Sequence, residues 1–525
     1  MEDDAPPAES LAPPPMEALL AAATMRPALP TVIWCPRPLK ARVGDVLAQL
    51  LHESTTMLET ASCSAECTQA LQLLWIAPSL LLRRPPTQEG KAAAVDGREG
   101  GDLSLVATIR HRIARAEQGD WTELLVEYLS ERTAAEAKGR RGPAEDLESG
   151  DVAARLEVLA AAVRKVEGGC LRAATQLLRG DSRIPGTAET TGQLEALTAL
   201  PVDDQERAAL REQLEAAYAC VSEVPPIKVR TLRRKLRTIK RGAEPGPSGW
   251  RNATLVLVGE RPQGCEVLTR WCRQYARGAM YPWDAKLWAS VCLVPLDKGE
   301  GKIRPIALGE VLPKLAQATL LDTLEKQLRQ SFEPRQLSVR SPGGAEVLAR
   351  TLRAWTARPD GRVLLQLDLK NAYGRMLRSR TLRAVVRRCP ALAPQLAQQW
   401  SPGVTWAWAR TNGVWGTFLS ERGGWQGSPD SNPTFCYGLE DALDDGLADA
   451  VGILRLGYAD DTFLDGPPVA LDNQWPRLRV ALEEAGHEVQ PNKCIFGLGA
   501  LSIGAKRTMQ HLPACNELSP PPTEP

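Results

Sequence analysis

The chain has 525 residues, 43% of them hydrophobic, with 64 Lys plus Arg against 63 Asp plus Glu. That length suits two or three domains, and a net charge of +1 excludes binding to nucleic acid through bulk positive charge, leaving local basic clusters to make any phosphate contact. The 12 cysteines follow no disulfide framework, which excludes a stapled secreted scaffold, and no run approaches the roughly 18 apolar residues of a membrane span, so no membrane partner is expected.

Residues 1–30 form an acidic, Pro/Ala-rich leader, expected to be disordered and unlike a signal or transit peptide. Residues 31–225 read as a helical N-terminal region. Its apolar stretches lie at 46–51 and 71–82, and Gly-, Pro- and charge-rich linkers break it near 85–102 and 136–151. Within 152–219, Leu156, Leu159, Ala160 and Val163 share a helix face, and a loop is expected at 180–190. Cys63 and Cys67 near His52, and His511 with Cys515, lack the four spaced ligands of a zinc site.

Two basic stretches follow. Arg230, Arg233, Arg234, Lys235 and Arg237 stand among Lys228, Lys240 and Arg241. Arg375, Arg378, Arg380, Arg383, Arg387 and Arg388 form the second stretch. Apolar residues interleave both at helical spacing, so each reads as an amphipathic helix with a basic face. That face is either solvated or a contact for RNA, and the first stretch is the better candidate. Between apolar runs, Lys298, Lys302 and Arg304 sit in a Gly-containing segment, which is either a solvated basic loop or a finger-like hairpin carrying cations to a triphosphate.

Residues 362–369 form a buried-strand run ending on Asp368. Trp400, Trp406, Trp408, Trp415 and Trp425 cluster after it, either as aromatics that stack on bases or as core filler; the two-residue spacing of Trp406 and Trp408, the pattern of a strand packing its core, favours the second. Gln426 and Gly427 open a Gly/Ser/Pro/Asn-rich loop that lets backbone approach a base pair, and Ser431 and Asn432 are alternative caps for the helix behind it. Two short strand-like runs then flank Asp460 and Asp461. An isolated Asp-Asp turn is ordinarily an acidic surface feature. Beside Asp368, the same turn could hold two Mg²⁺ ions, with Mn²⁺ as a substitute, bridged by Asp368 and Asp460 and helped by Asp461 and the Leu369 carbonyl. Lys493 is either a surface lysine or an acid for departing pyrophosphate. Residues 511–525 form a tail expected to be disordered.

The ordered segments resemble the reverse transcriptase of non-LTR (LINE-like) retrotransposons of protist type. They are Ala243-Glu244-Pro245-Gly246-Pro247-Ser248-Gly249-Trp250, the segment 294–306, Asp368-Leu369-Lys370-Asn371-Ala372-Tyr373, the segment 424–433, Tyr458-Ala459-Asp460-Asp461, and the block 486–497 that contains Lys493. The resemblance covers about 226–505 and implies an α+β fold of right-hand fingers and palm over 226–510; in a departure from the family, about thirty residues follow Lys493, so the thumb is expected to be missing or vestigial. It implies an RNA template, a DNA primer or target, deoxynucleoside triphosphates and a nuclear site of action. Lys298, Lys302, Arg304, Leu369, Tyr373, Gln426 and Gly427 would contact the nucleotide. Tyr373 would exclude a 2′-hydroxyl, although it also reads as aromatic core filler. The alternative reading is a truncated, non-catalytic RNA-binding remnant of such an element.

Overall fold

A computed structural model describes residues 16–29, 31–32, 35–60, 64–83, 103–137, 163, 184, 186–358, 361–401, 405–411, 414–498 and 516–517. The fold is mixed α and β, with many helices around two small sheets. Among the described residues no helix is long and apolar enough to cross a membrane.

The first sheet runs β2-β1-β4-β5. Strands β1 (Val291–Gly299) and β2 (Lys302–Gly309) form an antiparallel hairpin, and β1 pairs in parallel with β4 (Thr405–Thr411), which returns antiparallel as β5 (Val414–Ser420). Alternation sorts the hairpin's faces: Ile303 and Ala307 turn onto a small core with Val291, Leu293, Ala407, Ala409 and Leu194, whereas Lys302 and Arg304 occupy the opposite face. Leu194 comes from the helix Ala188–Thr198, which packs on this sheet. Trp408 is fully buried, as its strand spacing predicts.

The second sheet runs β6-β7-β3-β8-β9. The apolar run ending on Asp368 forms its central strand β3 (Val363–Leu367), antiparallel to β7 (Asp461–Gly466) and β8 (Ile495–Leu498), with β6 (Leu454–Tyr458) outside β7. A central strand flanked on both sides needs an apolar sequence, and Val363, Leu364, Leu365 and Leu367 supply it. One apolar core joins this sheet to the N-terminal helices, from Leu19 to Phe496. The segment containing Trp250 docks the two parts. Its indole Nε1 donates to Leu74 O (2.9 Å), and Ser248 binds the buried Glu310 carboxylate through its amide (2.8 Å) and its hydroxyl.

Several expectations are corrected. Residues Met16–Thr24 of the leader form a helix with Leu19, Leu20 and Ala23 in the core. In the tail, β9 (Asn516–Glu517) pairs with β8. The linkers near 85–102 and 136–151 fall almost wholly outside the described residues, as does the face containing Leu156. The second basic stretch presents no free basic face. Its helix Arg378–Arg388 is wedged between the helices Asp204–Ala219 and Ser431–Gly446, so its arginines meet internal acids. Arg383, Arg387 and Arg388 converge on Asp441, Arg380 pairs with Glu484 (3.1 Å), and Arg378 is buried against the Gly423 carbonyl (3.2 Å). Neither Ser431 nor Asn432 caps the helix after the Gln426 loop: both lie inside it and the capping position is Asp430.

Candidate active site

The central strand sets the geometry. Leu367 pairs with Thr462 across β3 and β7, so continuing that register by one position puts Asp368 opposite Asp461. Asp461 pairs back to Tyr458 across a two-residue turn made of Ala459 and Asp460. Asp460 therefore lies on the turn and Asp461 heads a strand, a division of the pair that composition alone does not show. Three carboxylates from two distant segments thus meet at one end of the sheet. Asp465, the hairpin's remaining acid, is buried in an ion pair with Arg362 (2.7 Å) and is structural.

The neighbours of these carboxylates are mostly amides. Gln490 donates to Asp368 Oδ1 (2.6 Å), and Lys493 Nζ lies 3.9 Å from the same oxygen. Gln366, on the same face of β3 as Asp368, hydrogen-bonds Asp461. Burial pushes the Asp461 carboxyl up, the charges of Asp460 and Asp368 push it further, and the Gln366 bond works against them. Gln490 N donates to Asp368 O and Lys370 N to Glu488 O, both at 2.8 Å. Leu369 consequently faces Val489 as a non-bonded pair, and its own carbonyl turns away from Val489, to the side where β7 lies.

Ala459, before the two acids, has φ +57°, a conformation costly for a residue with a Cβ. Gln336 holds it there. This fully buried side chain accepts from Ala459 N (2.9 Å) and donates to Ala459 O (3.2 Å).

The β1–β2 hairpin supplies the cations. Its tip, Gly299-Glu300-Gly301, is left-handed at all three residues, which explains the glycines. Lys298, Lys302 and Arg304 are exposed, and Lys302 pairs with Glu300 (2.7 Å). Lys302 first, and the more distant Lys493 with it, hold the Glu300 carboxyl below its usual range. The tip therefore lies within the electrostatic reach of the residue that faces Asp368.

Gln426 is tied to this hairpin through its carbonyl, which accepts from Ala307 N (3.2 Å); Gly427 follows at φ +111°. With Trp425, Pro305, Asn371 and Leu197 it lines a small open cleft, and Asn371 Nδ2 donates to Leu197 O (2.7 Å). Tyr373 is half-buried, stacked on Phe435 at 4.4 Å, and donates its hydroxyl to Asn432 Oδ1 (2.9 Å). Burial pushes its phenol well up, with Cys436 and Asp460 adding to the shift, so the hydroxyl keeps its proton.

Residues 296–512 match the family model described as reverse transcriptase (RNA-dependent DNA polymerase). The chain carries a reverse transcriptase domain. That match contains Lys298, Lys302, Arg304, Asp368, Leu369, Tyr373, Gln426, Gly427, Asp460, Asp461 and Lys493, and leaves the helix of Arg230 and Arg237 outside the matched reverse transcriptase segment. A comparison with curated proteins finds no match.

The basic helix N-terminal to the domain is Val229–Thr238, shorter than the run of cations. Leu232 and Leu236 are buried beneath it. Arg233 pairs with Glu266 (2.9 Å), and Asp322 takes Lys235 (2.8 Å) and, more loosely, Arg234 (3.8 Å), while Arg230, Arg233, Arg234 and Arg237 are all exposed. Sequence reasoning misses Gln336, Gln366, Gln490 and Asn432 as site residues. Gln366 alone leaves a signal there, as the polar residue two places before Asp368 in an apolar strand.

Proposed function

We propose that the chain is an RNA-directed DNA polymerase of non-LTR retrotransposon type, joining a deoxynucleoside triphosphate to the 3′-hydroxyl of a primer on an RNA template. The observation carrying this reading is the register that sets Asp368 across from Asp461, beside Asp460, within the matched domain. Among the described residues no three His, Cys, Asp or Glu are closed around one point tightly enough to hold an ion. The donor set nevertheless fits a hard divalent cation: all its atoms are oxygens, and the Asp461 carboxyl is raised by burial first and then by its acidic neighbours, which a cation would offset. Asp368, Asp460 and the Leu369 carbonyl would hold Mg²⁺, or Mn²⁺, with Asp461 in support. Two such ions would make the primer hydroxyl more nucleophilic and stabilise charge on the leaving group.

The chain's own residues do the rest. Lys298, Lys302 and Arg304 bind the triphosphate from the hairpin, and the Lys302–Glu300 pair opens as they do so. Lys493 holds a proton on Nζ for the departing pyrophosphate. Tyr373 fills the space a 2′-hydroxyl would need, and Gln426 and Gly427 line the nucleotide's path. Arg230 and Arg237 contact RNA phosphates outside the cleft, with Arg233, Arg234 and Lys235 first having to leave their ion pairs to Glu266 and Asp322. Work on chromosomal targets places the protein in the nucleus. The test is primer extension on an RNA template with Mg²⁺. Incorporation of deoxynucleotides and not of ribonucleotides supports the reading, and RNA retention by the folded chain without extension overturns it in favour of a non-catalytic binding role.

A further inference from the structure

Between Tyr373 and the turn that bears Asp460 lies an unbroken line of polar side chains from three different elements. Tyr373 gives its hydroxyl proton to Asn432 Oδ1 (2.9 Å), Asn432 Nδ2 donates to Ser338 Oγ (3.2 Å) and Ser338 O (3.3 Å), and Ser338 Oγ donates to Gln336 Oε1 (3.0 Å). Gln336 Nε2 then donates to Ala459 O (3.2 Å), while its Oε1 also accepts from Ala459 N (2.9 Å). Each hydroxyl has one proton to give, and the side-chain bonds from the phenol to Ala459 O can all be made with the protons running in one direction, the Ala459 amide alone donating back to Gln336. Such a line is polarised along its length and resists the loss of any member.

Packing fixes both ends. The Tyr373 ring lies on Phe435, on the helix of Asn432, and Gln336 is fully buried. A Cβ on Gly457, in the strand leading to the turn, would come within 2.7 Å of Gln336 Nε2, so the glycine keeps open the space the amide uses.

We propose that Asn432, Ser338 and Gln336 are positioning residues that hold the ring of Tyr373 and the turn carrying Asp460 in one fixed relation, so that sugar selection and the carboxylate site are set together. The inference rests on the polymerase reading for its functional half only. None of the three touches the reacting atoms.

The test compares extension with deoxy- and ribonucleotides by the unaltered chain, Asn432→Leu, Tyr373→Phe and the double variant. Each single change relaxes the preference for deoxynucleotides about fivefold, the worth of one ordinary hydrogen bond. The double variant goes no further, because both changes break the same bond. Gln336→Met lowers kcat for both sugars and relaxes the preference as well. A change that merely loosens the fold lowers both rates and leaves their ratio alone. An unchanged ratio in Asn432→Leu, or effects that multiply in the double variant, overturns the proposal. If the unaltered chain extends nothing, the polymerase reading fails by itself, and hydrogen exchange at the Ala459 amide decides the relay. Faster exchange in Asn432→Leu sustains it, and unchanged exchange sinks it.

Discussion

Asp461 shows how the site divides into parts that sequence displays and parts that it hides. Its carboxyl is pushed up by burial and by two acidic neighbours, and Gln366 holds it down. Gln366→Leu removes that donor with little change in volume. The account predicts an approximately tenfold lower kcat at saturating Mg²⁺ with melting little affected, since a hydrogen bond to a charged group is what disappears; an unchanged kcat in a steady-state assay would contradict it. The approach of the acids to one another and to Lys493, and the hairpin that bears the cations, are foreshadowed in the sequence by residue type and by the strand-like runs around them. Gln336 is not, because nothing local marks a glutamine whose partner is Ala459, over a hundred residues away. The side chains that hold a site in shape are chosen by tertiary packing, and a single sequence carries little trace of that.

At the level of elements, hydrophobic periodicity locates the strands and the two arginine-rich helices, but it does not say which helix faces water. The helix Val229–Thr238 leaves Arg230, Arg234 and Arg237 exposed, whereas Arg378–Arg388 spends its charge on Asp441, Glu484 and the Gly423 carbonyl. The two make opposite predictions. Arg230→Ala with Arg237→Ala weakens RNA binding and reduces the salt slope by roughly 0.7 for each phosphate that is no longer neutralised, as read by titration at several ionic strengths. Asp441→Asn leaves RNA affinity unchanged and costs about 2 kcal/mol of stability in a denaturant melt, because three arginines lose a shared, nearly buried partner, the exposure of the arginines themselves tempering the loss. The leader departs from its expected disorder for a related reason: Leu19, Leu20 and Ala23 bury a helix only because a core formed elsewhere in the chain receives them.

Across the whole molecule, buried titratable groups pull stability in two directions. Burial raises Glu310 from 4.5 to about 7, Asp430 from 3.8 to about 6 and Asp284 from 3.8 to about 6. Between about pH 4 and 7 the folded chain therefore holds more protons at these acids than the unfolded chain does, and their contribution falls as pH rises. His487 works the other way. Burial, and then Arg422 and Arg375, lower it from 6.5 to about 4, so it contributes stability that grows with pH through that interval. Asp430 accepts from the Gln399 amide (3.0 Å) deep in the core, and Asp430→Asn removes one of the opposing acids. Thermal melts should then show roughly 2–3 kcal/mol of added stability at pH 8 and little at pH 4, moving the optimum upward; a variant no more stable at pH 8 would show that Asp430 is not buried as a charge.

The central claim is that Asp368 and Asp460, brought together by the register of β3 on the Asp460 hairpin, are the working carboxylates of templated DNA synthesis. The most direct measurement is primer extension on an RNA template by Asp368→Asn and Asp460→Asn, each checked by melting to be folded. The account predicts that each change abolishes deoxynucleotide incorporation, by at least about a thousandfold, while RNA binding is kept. Extension by either variant at the rate of the unaltered chain would contradict it.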